Sequence, residues 1–327
     1  MFRVLGYIAG VASCFVALLL CVACGDEAEE YFPDGDPVAL NLKLGFEPEI
    51  SLPDDAQVRY IVRAYPAKQS NKNKKFVNEF VFTKSVGEGL DLQTDMQLNA
   101  GDYELLVWVD LVANAGDMPF YDADDFGEIV LVGDYCGSNE LRAAFSGSAT
   151  VSLKEEMVAD TIEVAMQRPL ARFELKADDF AVFVSREMER LNENVADGDS
   201  VVPFNLEDYT VVCYYVGFMP CAYSLYTNRP VDSATGVKFL STMKPVGDTG
   251  ALLLDDFVFV NDKSSIVSVR VGVFDAKNEL VSLTGTIKVP LNRGCKSLLS
   301  GEFLTSKKTD GVTIDTGYDG NFNLIFK

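Results

Sequence analysis

The chain has 327 residues with no histidine, and its 49 Asp and Glu outnumber its 28 Lys and Arg to give a net charge of −21. Without histidine, a Ser-His-Asp triad, a His-ligated metal centre and a histidine general base are excluded. The negative charge opposes contact with a phosphate backbone, so we expect no nucleic-acid partner. Hydrophobic residues make up 48% of the chain, which is enough for packed cores, and the length predicts two domains.

Residues 1–23 have the pattern of a secretory signal peptide. Arg3 is the only charge before an apolar run that ends at Cys24, and an acidic segment follows. A cysteine directly after the small Ala23 resembles a bacterial lipoprotein signal, in which the thiol is acylated and becomes the new N-terminus. The box departs from the usual pattern only at Cys21, where leucine is expected. The alternative is an uncleaved span, because the run is about as long as the roughly 20 residues that cross a bilayer. We favour lipidation at Cys24, since no Lys or Arg follows directly to halt transfer.

The composition of the acidic segment, residues 24–37, predicts a tether and a signal for localisation of the protein. Its charged residues Asp26, Glu27, Glu29 and Glu30 resemble the signal by which Bacteroidetes send lipoproteins to the outer face of the outer membrane. We therefore expect a protein that is anchored in the cell outer membrane by its acyl chains and faces the exterior. A solvated acidic linker has the same composition and is the alternative.

Residues 38–167 predict an N-terminal β-sandwich domain. Val38, Leu40, Leu42, Leu44 and Phe46 alternate with more polar residues, which is the period of a half-buried strand. Turn residues separate the further predicted strands, which lie at Val58–Tyr65, Lys75–Phe82, Leu92–Leu98, Tyr103–Val112, Glu128–Val132, Ala149–Leu153 and Thr161–Met166. Many short strands of this kind indicate a sandwich.

Residues 168–327 predict a second β-sandwich domain. Pro169 marks the hinge because it cannot donate to a strand ladder. One short helix interrupts the domain: Asp178 or Asp179 can cap it, and apolar residues recur at helical spacing from Phe180 to Leu191. The remaining predicted strands lie at Ala171–Ala177, Tyr209–Val216, Leu252–Val260, Ile266–Phe274, Leu280–Val289, Ser297–Leu304 and Phe322–Phe326.

Several stretches, none specific alone, together resemble a known family. In chain order they are Ala100 to Tyr103, Val107 to Asp110, Arg142 to Gly147, Arg168 to Phe173, Gly217 to Pro220, Phe257 to Asn261, Val289 to Arg293 and Gly301 to Thr305. Their order resembles the fimbrillin-related lipoprotein family of Bacteroidetes, which holds fimbrial subunits and fimbrial anchors, and more narrowly a domain of unknown function within it. The resemblance implies two transthyretin-like β-sandwiches in series, with no enzymatic activity and no cofactor.

The resemblance also implies a mechanism of assembly. In polymerising members a protease cuts after a basic residue beyond the first strand, and the groove left by that strand accepts a strand from the next subunit. Here no Lys or Arg lies between Phe46 and Val58, because Lys43 is inside the first predicted strand and Arg59 inside the second. We therefore expect the first strand to stay in its groove, as in an anchor or minor subunit, although Arg59 is accessible if its loop is mobile.

Two residue types suggest further sites. Cys213 and Cys221 flank a predicted hairpin and are the expected disulfide pair of an exported chain, with free buried thiols as the alternative. Trp108, the only tryptophan, shares the outer face of its predicted strand with Glu104 and Asp110. A tryptophan there either stacks on a sugar or packs against a neighbouring domain or loop, and we favour packing because it is the commoner arrangement.

Carboxylate clusters and short triplets complete the candidates. Two clusters offer oxygen ligands for calcium but lack the spacing of a calcium loop, so we interpret them as surface turns and expect no metal. The first cluster is Asp122, Asp124, Asp125 and Glu128, and the second is Asp315, Asp319 and Asn321. Three triplets resemble the O-glycosylation sequence that Bacteroidetes use for exported proteins, and they begin at Asp160, Asp199 and Asp232. Ser200 and Ser233 are the candidate acceptors, since Thr161 is predicted to lie in a strand.

These observations predict a surface-exposed outer-membrane lipoprotein of the fimbrillin type, acting in attachment or as a fimbrial anchor or minor subunit through β-strand addition. Its expected partners are the outer membrane, fimbrial subunits and a ligand on a host or bacterial surface. The alternative is a surface glycan-binding lipoprotein with stacked sandwich domains, which exposed aromatic residues on one face would distinguish.

Overall fold

Strands dominate this protein. The computed structural model describes residues 33–46, 52–67, 69, 74–114, 116–155, 160–196, 200–262, 264–305, 312–315 and 321–326. Within these ranges the chain forms 22 strands and one α-helix, and the predicted mainly β class with a short helix in the second half is confirmed.

The first half of the chain forms one sandwich. Its strands are β1 (Pro37–Phe46), β2 (Gln57–Pro66), β3 (Asn78–Ser85), β4 (Leu92–Asn99), β5 (Gly101–Val112), β6 (Tyr121–Asp122), β7 (Ile129–Leu131), β8 (Ala144–Leu153) and β9 (Asp160–Met166). A three-stranded sheet, β4-β1-β9, packs on a four-stranded sheet, β3-β2-β5-β8. Leu42, Tyr60 and Val107 are fully buried in the core between them.

The second half forms the other sandwich. Its elements are β10 (Leu170–Ala177), α1 (Phe180–Asn192), β11 (Thr210–Tyr215), β12 (Met219–Ser224), β13 (Arg229–Ala234), β14 (Lys238–Ser241), β15 (Lys244–Val246), β16 (Gly250–Phe259), β17 (Ser265–Phe274), β18 (Leu280–Leu283), β19 (Ile287–Leu291), β20 (Lys296–Gly301), β21 (Val312–Asp315) and β22 (Asn321–Phe326). A six-stranded sheet, β15-β16-β10-β20-β22-β21, faces the sheet β14-β11-β17-β18, in which β19 also pairs with β17. The second core, around Phe173 and Val271, lies between them.

A further sheet joins the two halves. Its order is β13-β12-β7-β6, so a hairpin of the second half pairs with a hairpin of the first half. Tyr223 of β12 lies opposite Ile129 of β7 in this ladder. The strands β12 to β15 were not predicted, and they are short.

The two sheets of the first sandwich approach each other closely near the end of β9. Ser146 and Gln167 exchange two backbone hydrogen bonds of 2.8 and 2.9 Å. A Cβ atom at Gly147 would lie 2.7 Å from Met166 Sδ and from Val164 Cγ1, closer than real Cβ contacts allow. Glycine is therefore required at this position of β8.

The helix begins where the sequence predicts but is held differently. Asp179 occupies the N-cap position, yet its side chain makes no cap hydrogen bond. Its buried carboxylate instead accepts hydrogen bonds from Leu304 N (3.1 Å), Thr305 N (2.6 Å) and Thr305 Oγ1 (2.6 Å). Asp179 thus ties the start of α1 to the chain segment that follows β20.

Candidate functional site

The first strand is the middle strand of its sheet. β1 pairs antiparallel with β4 and parallel with β9. The side chains of Val38, Leu40, Leu42 and Leu44 are all buried in the first core. β1 therefore fills a groove whose walls are β4 and β9, as the alternation of its residues predicts.

Contacts on both sides hold β1 in this groove. On its solvent face, Asn41 Nδ2 donates to Asp95 Oδ1 of β4 at 2.8 Å, and Lys43 pairs with Glu163 of β9 at 2.7 Å. The hydrogen bond from Lys43 lowers the pKa of Glu163 below its ordinary value. At the end of the strand, the ring of Phe46 meets that of Phe145 edge to face, with centroids 5.1 Å apart.

Removing β1 would leave a specific acceptor. β4 and β9 would then stand about 10 Å apart, twice the spacing of neighbouring strands, with unpaired backbone groups facing each other. Only an extended segment that offers apolar side chains at alternate positions can fill such a groove. In the structure this position is filled by β1 of the same chain, which pairs with β4 and β9 along both edges.

Arg59, the first basic residue after β1, is poorly placed for cleavage by a protease. Arg59 lies inside β2, between β3 and β5. Its Nε donates to Asp110 Oδ1 at 2.8 Å, and a terminal nitrogen donates to Asp110 Oδ2 at 2.5 Å and to Tyr121 O at 3.0 Å. A protease could reach the bond after Arg59 only if β2 left its sheet.

A buried ion pair lies between the two sandwiches. Arg142 precedes β8 and pairs with Asp256 of β16, and both side chains are almost fully buried. Arg142 also donates to the carbonyl oxygens of Cys136 and Phe257, each at 2.9 Å. Burial alone would lower the pKa of Arg142, but Asp256 raises it, so the guanidinium stays cationic.

Two tyrosines complete the shell of Asp256. Tyr215 Oη donates to Asp256 Oδ2 at 2.6 Å, and Tyr135 Oη donates to the same oxygen at 2.7 Å. Burial raises the pKa of both tyrosines, so their hydroxyl groups stay protonated and can donate. Because Arg142 and Tyr135 precede the hinge while Tyr215 and Asp256 follow it, this network, here called the seam, fixes one half of the chain to the other.

Trp108 belongs to this buried region, which corrects its predicted exposure. The side chain is 0% exposed, and its Nε1 donates to Asp110 Oδ2 at 3.0 Å. Its ring meets the ring of Tyr121 at 5.4 Å, and Tyr121 Oη donates to the carbonyl oxygen of Arg142 at 2.8 Å. Trp108 therefore packs under the segment that carries β6 and has no face available for a sugar.

The predicted disulfide is wrong. Cys213 and Cys221 both carry free thiols. Cys213 lies in β11 with its side chain in the second core, whereas Cys221 lies in β12, which belongs to the sheet that joins the two halves. Burial raises the pKa of both thiols, that of Cys213 most strongly.

The acidic cluster forms a turn between β6 and β7. Asp122 Oδ1 accepts from Asp124 N at 2.9 Å, and Asp125 Oδ1 accepts from Gly127 N at 2.6 Å. Across the described ranges, no group of three or more Cys, Asp or Glu side chains is placed to hold a metal ion. These carboxylates thus support the backbone of an exposed turn.

Some of the other candidate residues lie among the residues that the structure describes, and others lie outside them. Ser200 and Ser233 are exposed, the second within β13. Cys24 and Asp26 to Glu30 lie outside the described residues, as do Asp199 and Asp319. In the part of the chain that is described, no helix has the length and apolar composition needed to cross a membrane.

Sequence reasoning missed the seam, although one signal was present. Asp255 and Asp256 interrupt an otherwise apolar run in β16. Adjacent carboxylates in the middle of a buried strand require a cationic or hydrogen-bonding partner. Arg142 stands in one of the stretches that carry the family resemblance, but no local pattern connects it with a residue more than a hundred positions away.

Comparison with known proteins gives one family and several structures. A family model described as a family of unknown function (DUF6562) matches residues 42–326. The structure of the fimbrial anchor protein Mfa2 from Porphyromonas gingivalis matches with 11% identity and a TM-score of 0.39, over 75% of this chain and 82% of that one.

Two further structures match to a similar degree. A fimbrial assembly protein from Parabacteroides distasonis has 12% identity and a TM-score of 0.39, over 81% of this chain and 92% of that one. A protein proposed to act in cell adhesion from Bacteroides eggerthii has 12% identity and a TM-score of 0.42, over 90% and 98% of the two chains. No curated protein matches this chain.

Proposed function

This chain belongs to the DUF6562 family of unknown function, and we propose that it is a lipid-anchored protein of the outer membrane that acts as a fimbrial anchor or minor subunit. In this proposal it faces the exterior, keeps its own first strand and has no catalytic role. Its partners are the outer membrane, fimbrial subunits that add a strand, and a surface ligand.

The observation that carries the proposal is the position of β1. A subunit that polymerises by strand exchange must lose its first strand, whereas an anchor must keep the strand that connects its fold to the lipid. Here β1 is paired on both edges and buries four side chains, and Arg59 is held within β2 by Asp110. Both features favour retention of the N-terminal segment.

Attachment to the membrane is assigned to Cys24. Cells that express the parent chain or the Cys24→Ala variant can be labelled with an alkynyl fatty acid, with Cys21→Ala as the matched control. We expect label in the parent and in Cys21→Ala and none in Cys24→Ala. Equal labelling of all three chains would contradict lipidation at this residue.

Display on the exterior is assigned to Asp26, Glu27, Glu29 and Glu30. Replacing all four by Ser or Asn should retain the protein in the periplasm, so that protease added to intact cells no longer degrades it. If the replaced and parent chains are degraded equally, the segment is only a tether. Ser200 and Ser233 remain proposed glycosylation sites of the exported chain.

The fimbrial role is tested by isolation of surface fimbriae. Fimbriae sheared from cells should carry the chain with β1 intact at its N-terminus, detectable by mass spectrometry of the peptide that contains Val38. Fimbriae that form normally and are anchored normally without this chain would contradict the role. The alternative function, a glycan-binding surface protein, would use a surface of the molecule other than the groove that β1 fills.

A further inference from the structure

One sheet of the second sandwich is built from strands that carry cations and no carboxylate. None of the strands β14, β11, β17, β18 and β19 contains Asp or Glu, although 49 of the 327 residues are acidic. Their inward residues, such as Cys213 and Val271, belong to the second core. The residues between them point outward, and we call this outward side the basic face, defined by Tyr214, Lys238, Arg270, Gly272, Phe274 and Lys288.

Cations surround a tyrosine on the basic face. Tyr214 lies opposite Lys238 in one ladder and opposite Arg270 in the other, so both of its cross-strand neighbours are cationic residues. Arg270 Nε donates to Thr284 O at 3.2 Å, which holds its guanidinium in place. Among the described residues, Lys238, Arg270 and Lys288 form no ion pair, and their charges are available to a ligand.

The aromatic rings of the basic face lie over a glycine. A Cβ atom at Gly272 would be 3.0 Å from Phe274 Cε2 and 3.4 Å from Tyr214 Cε2. Both rings therefore approach the strand where it carries no side chain, and both are partly exposed. Leu240 and Ile266, 68% and 66% exposed, extend this apolar area at its margins.

The charge of the whole chain does not cancel that of the basic face. The nearest carboxylate after β17, Asp275, accepts hydrogen bonds from Lys277 N and Glu279 N and pairs with Arg190 at 3.1 Å. At physiological ionic strength, charges more than about 8 Å away are largely screened. An anion close to the basic face is therefore attracted by Lys238 and Arg270 more strongly than it is repelled by the acidic residues elsewhere in the chain.

We propose that the basic face binds an anionic polysaccharide. The apolar sides of its sugar rings would stack on Tyr214 and Phe274, and its carboxylate or sulfate groups would pair with Lys238, Arg270 and Lys288. The sheet is four strands wide, because β18 and β19 both pair with one edge of β17. Strands about 4.8 Å apart then give a face of roughly 400 Å². This is smaller than the roughly 800 Å² that each partner contributes to a standard protein interface, which favours a few sugar units over a folded protein.

The proposal is tested with the full chain purified in detergent. Affinity electrophoresis would use gels that contain polygalacturonate, alginate or chondroitin sulfate, with fully methyl-esterified polygalacturonate and dextran as neutral polymers. The methyl ester keeps the sugar ring and removes its charge, so it separates stacking from ion pairing. We expect retardation in at least one anionic gel and roughly tenfold weaker binding to the neutral polymers.

Matched variants locate the site. Tyr214→Ala, Arg270→Gln and Gly272→Ala should each weaken binding roughly three- to tenfold. Phe76→Ala and Lys244→Gln remove an exposed ring and an exposed cation elsewhere, and they should bind like the parent. Thermal melting and circular dichroism of every variant confirm that the fold is kept, and Lys238→Gln, at an exposed position, is the variant that least disturbs packing.

Three results would overturn the proposal. The first is no retardation by any anionic polymer, and the second is equal retardation of the parent and the face variants. The third is concentration-dependent self-association of the chain that Leu240→Ser abolishes, since the face would then be a protein interface. Lipid labelling and fimbrial anchoring do not depend on this face, so a failure here leaves the proposed function standing.

Discussion

Single side chains connect distant parts of this fold, and Asp179 is the simplest example. Its carboxylate accepts three hydrogen bonds from Leu304 and Thr305, while the neighbouring Asp178 is exposed. Hydrogen bonds to a charged group contribute about 1.5–3 kcal/mol each, and a buried group left without its partner costs more. We therefore expect Asp179 to contribute more than Asp178 to the free energy of unfolding.

Replacing Asp179 should destabilise the second sandwich. We expect Asp179→Ala to lower the free energy of unfolding by about 2–4 kcal/mol, because the Leu304 and Thr305 amide groups lose their acceptor. Asp178→Ala is the matched control and should change it by less than about 0.5 kcal/mol. Urea unfolding of both variants measures the difference, and equal values would show that the Asp179 contact is unimportant.

The seam is centred on a buried ion pair between Arg142 and Asp256. Arg142→Met should lower the free energy of unfolding by about 3–5 kcal/mol, because it leaves Asp256 buried without its cation. The double variant Arg142→Met with Asp256→Leu should recover part of this loss, since no charge remains buried. A double variant less stable than Arg142→Met would contradict this account of the seam.

The thiols of Cys213 and Cys221 give a test of the corrected disulfide. Cys213 is buried with a strongly raised pKa, and Cys221 is partly exposed. In the native protein, iodoacetamide should modify Cys221 much faster than Cys213, because only a thiolate that solvent can reach reacts. Peptide mass spectrometry would reveal the opposite outcome, a peptide pair joined through Cys213 and Cys221.

At the scale of elements, the first strand shows how much the sequence determines. The alternation from Val38 to Leu44 predicts a half-buried strand, and the structure has one at Pro37–Phe46. The helix is also predictable, because apolar residues recur at helical spacing from Phe180, although its buried residues are Phe183 and Glu187 and Met188 is exposed. These elements follow from local pattern alone.

Other elements could not be predicted, for physical reasons that particular residues illustrate. Alternation places Trp108 on the outside of β5, but β5 is buried on both faces because the segment that carries β6 covers it. The sequence around Cys213 and Cys221 reads as a hairpin, yet the two strands belong to different sheets. Partners of a strand and layers above it are set by distant residues, which local periodicity does not contain.

Neighbouring residues on the two faces of β1 should respond differently to truncation. Leu42→Ala should lower the free energy of unfolding by about 2–5 kcal/mol, because it opens a cavity in the first core. Lys43→Ala removes only the exposed pair with Glu163, so its effect should be much smaller than that of Leu42→Ala. Chemical unfolding compares the two, and a larger effect at Lys43 would mean that β1 faces the opposite way.

At the scale of the molecule, we propose that residues 38–167 and 168–327 form two sandwiches that act as one mechanical unit. The shared sheet and the seam both cross from one half to the other. An anchor must transmit force from a bound subunit to its lipid, and a flexible joint between sandwiches would transmit it poorly. The buried polar contacts between Arg142, Asp256 and their tyrosines suit this requirement.

The central claim of the proposed function concerns β1, the first strand of the fold. Burying Val38, Leu40, Leu42 and Leu44 contributes about 6–12 kcal/mol, an upper figure before the costs of ordering. A typical domain has a total stability of about 5–15 kcal/mol. A sandwich that lost β1 would therefore lose most of its stability and expose an apolar groove.

The most direct test is thermal melting of the chain that lacks residues 25–47, with and without a synthetic peptide of the sequence Val38–Phe46. We predict that the deletion lowers the melting temperature of the first sandwich and that the peptide restores it. A control peptide with Asp in place of Leu42 and Leu44 should restore nothing. An unchanged melt on deletion would show that β1 is not part of the core and would contradict the self-filled anchor.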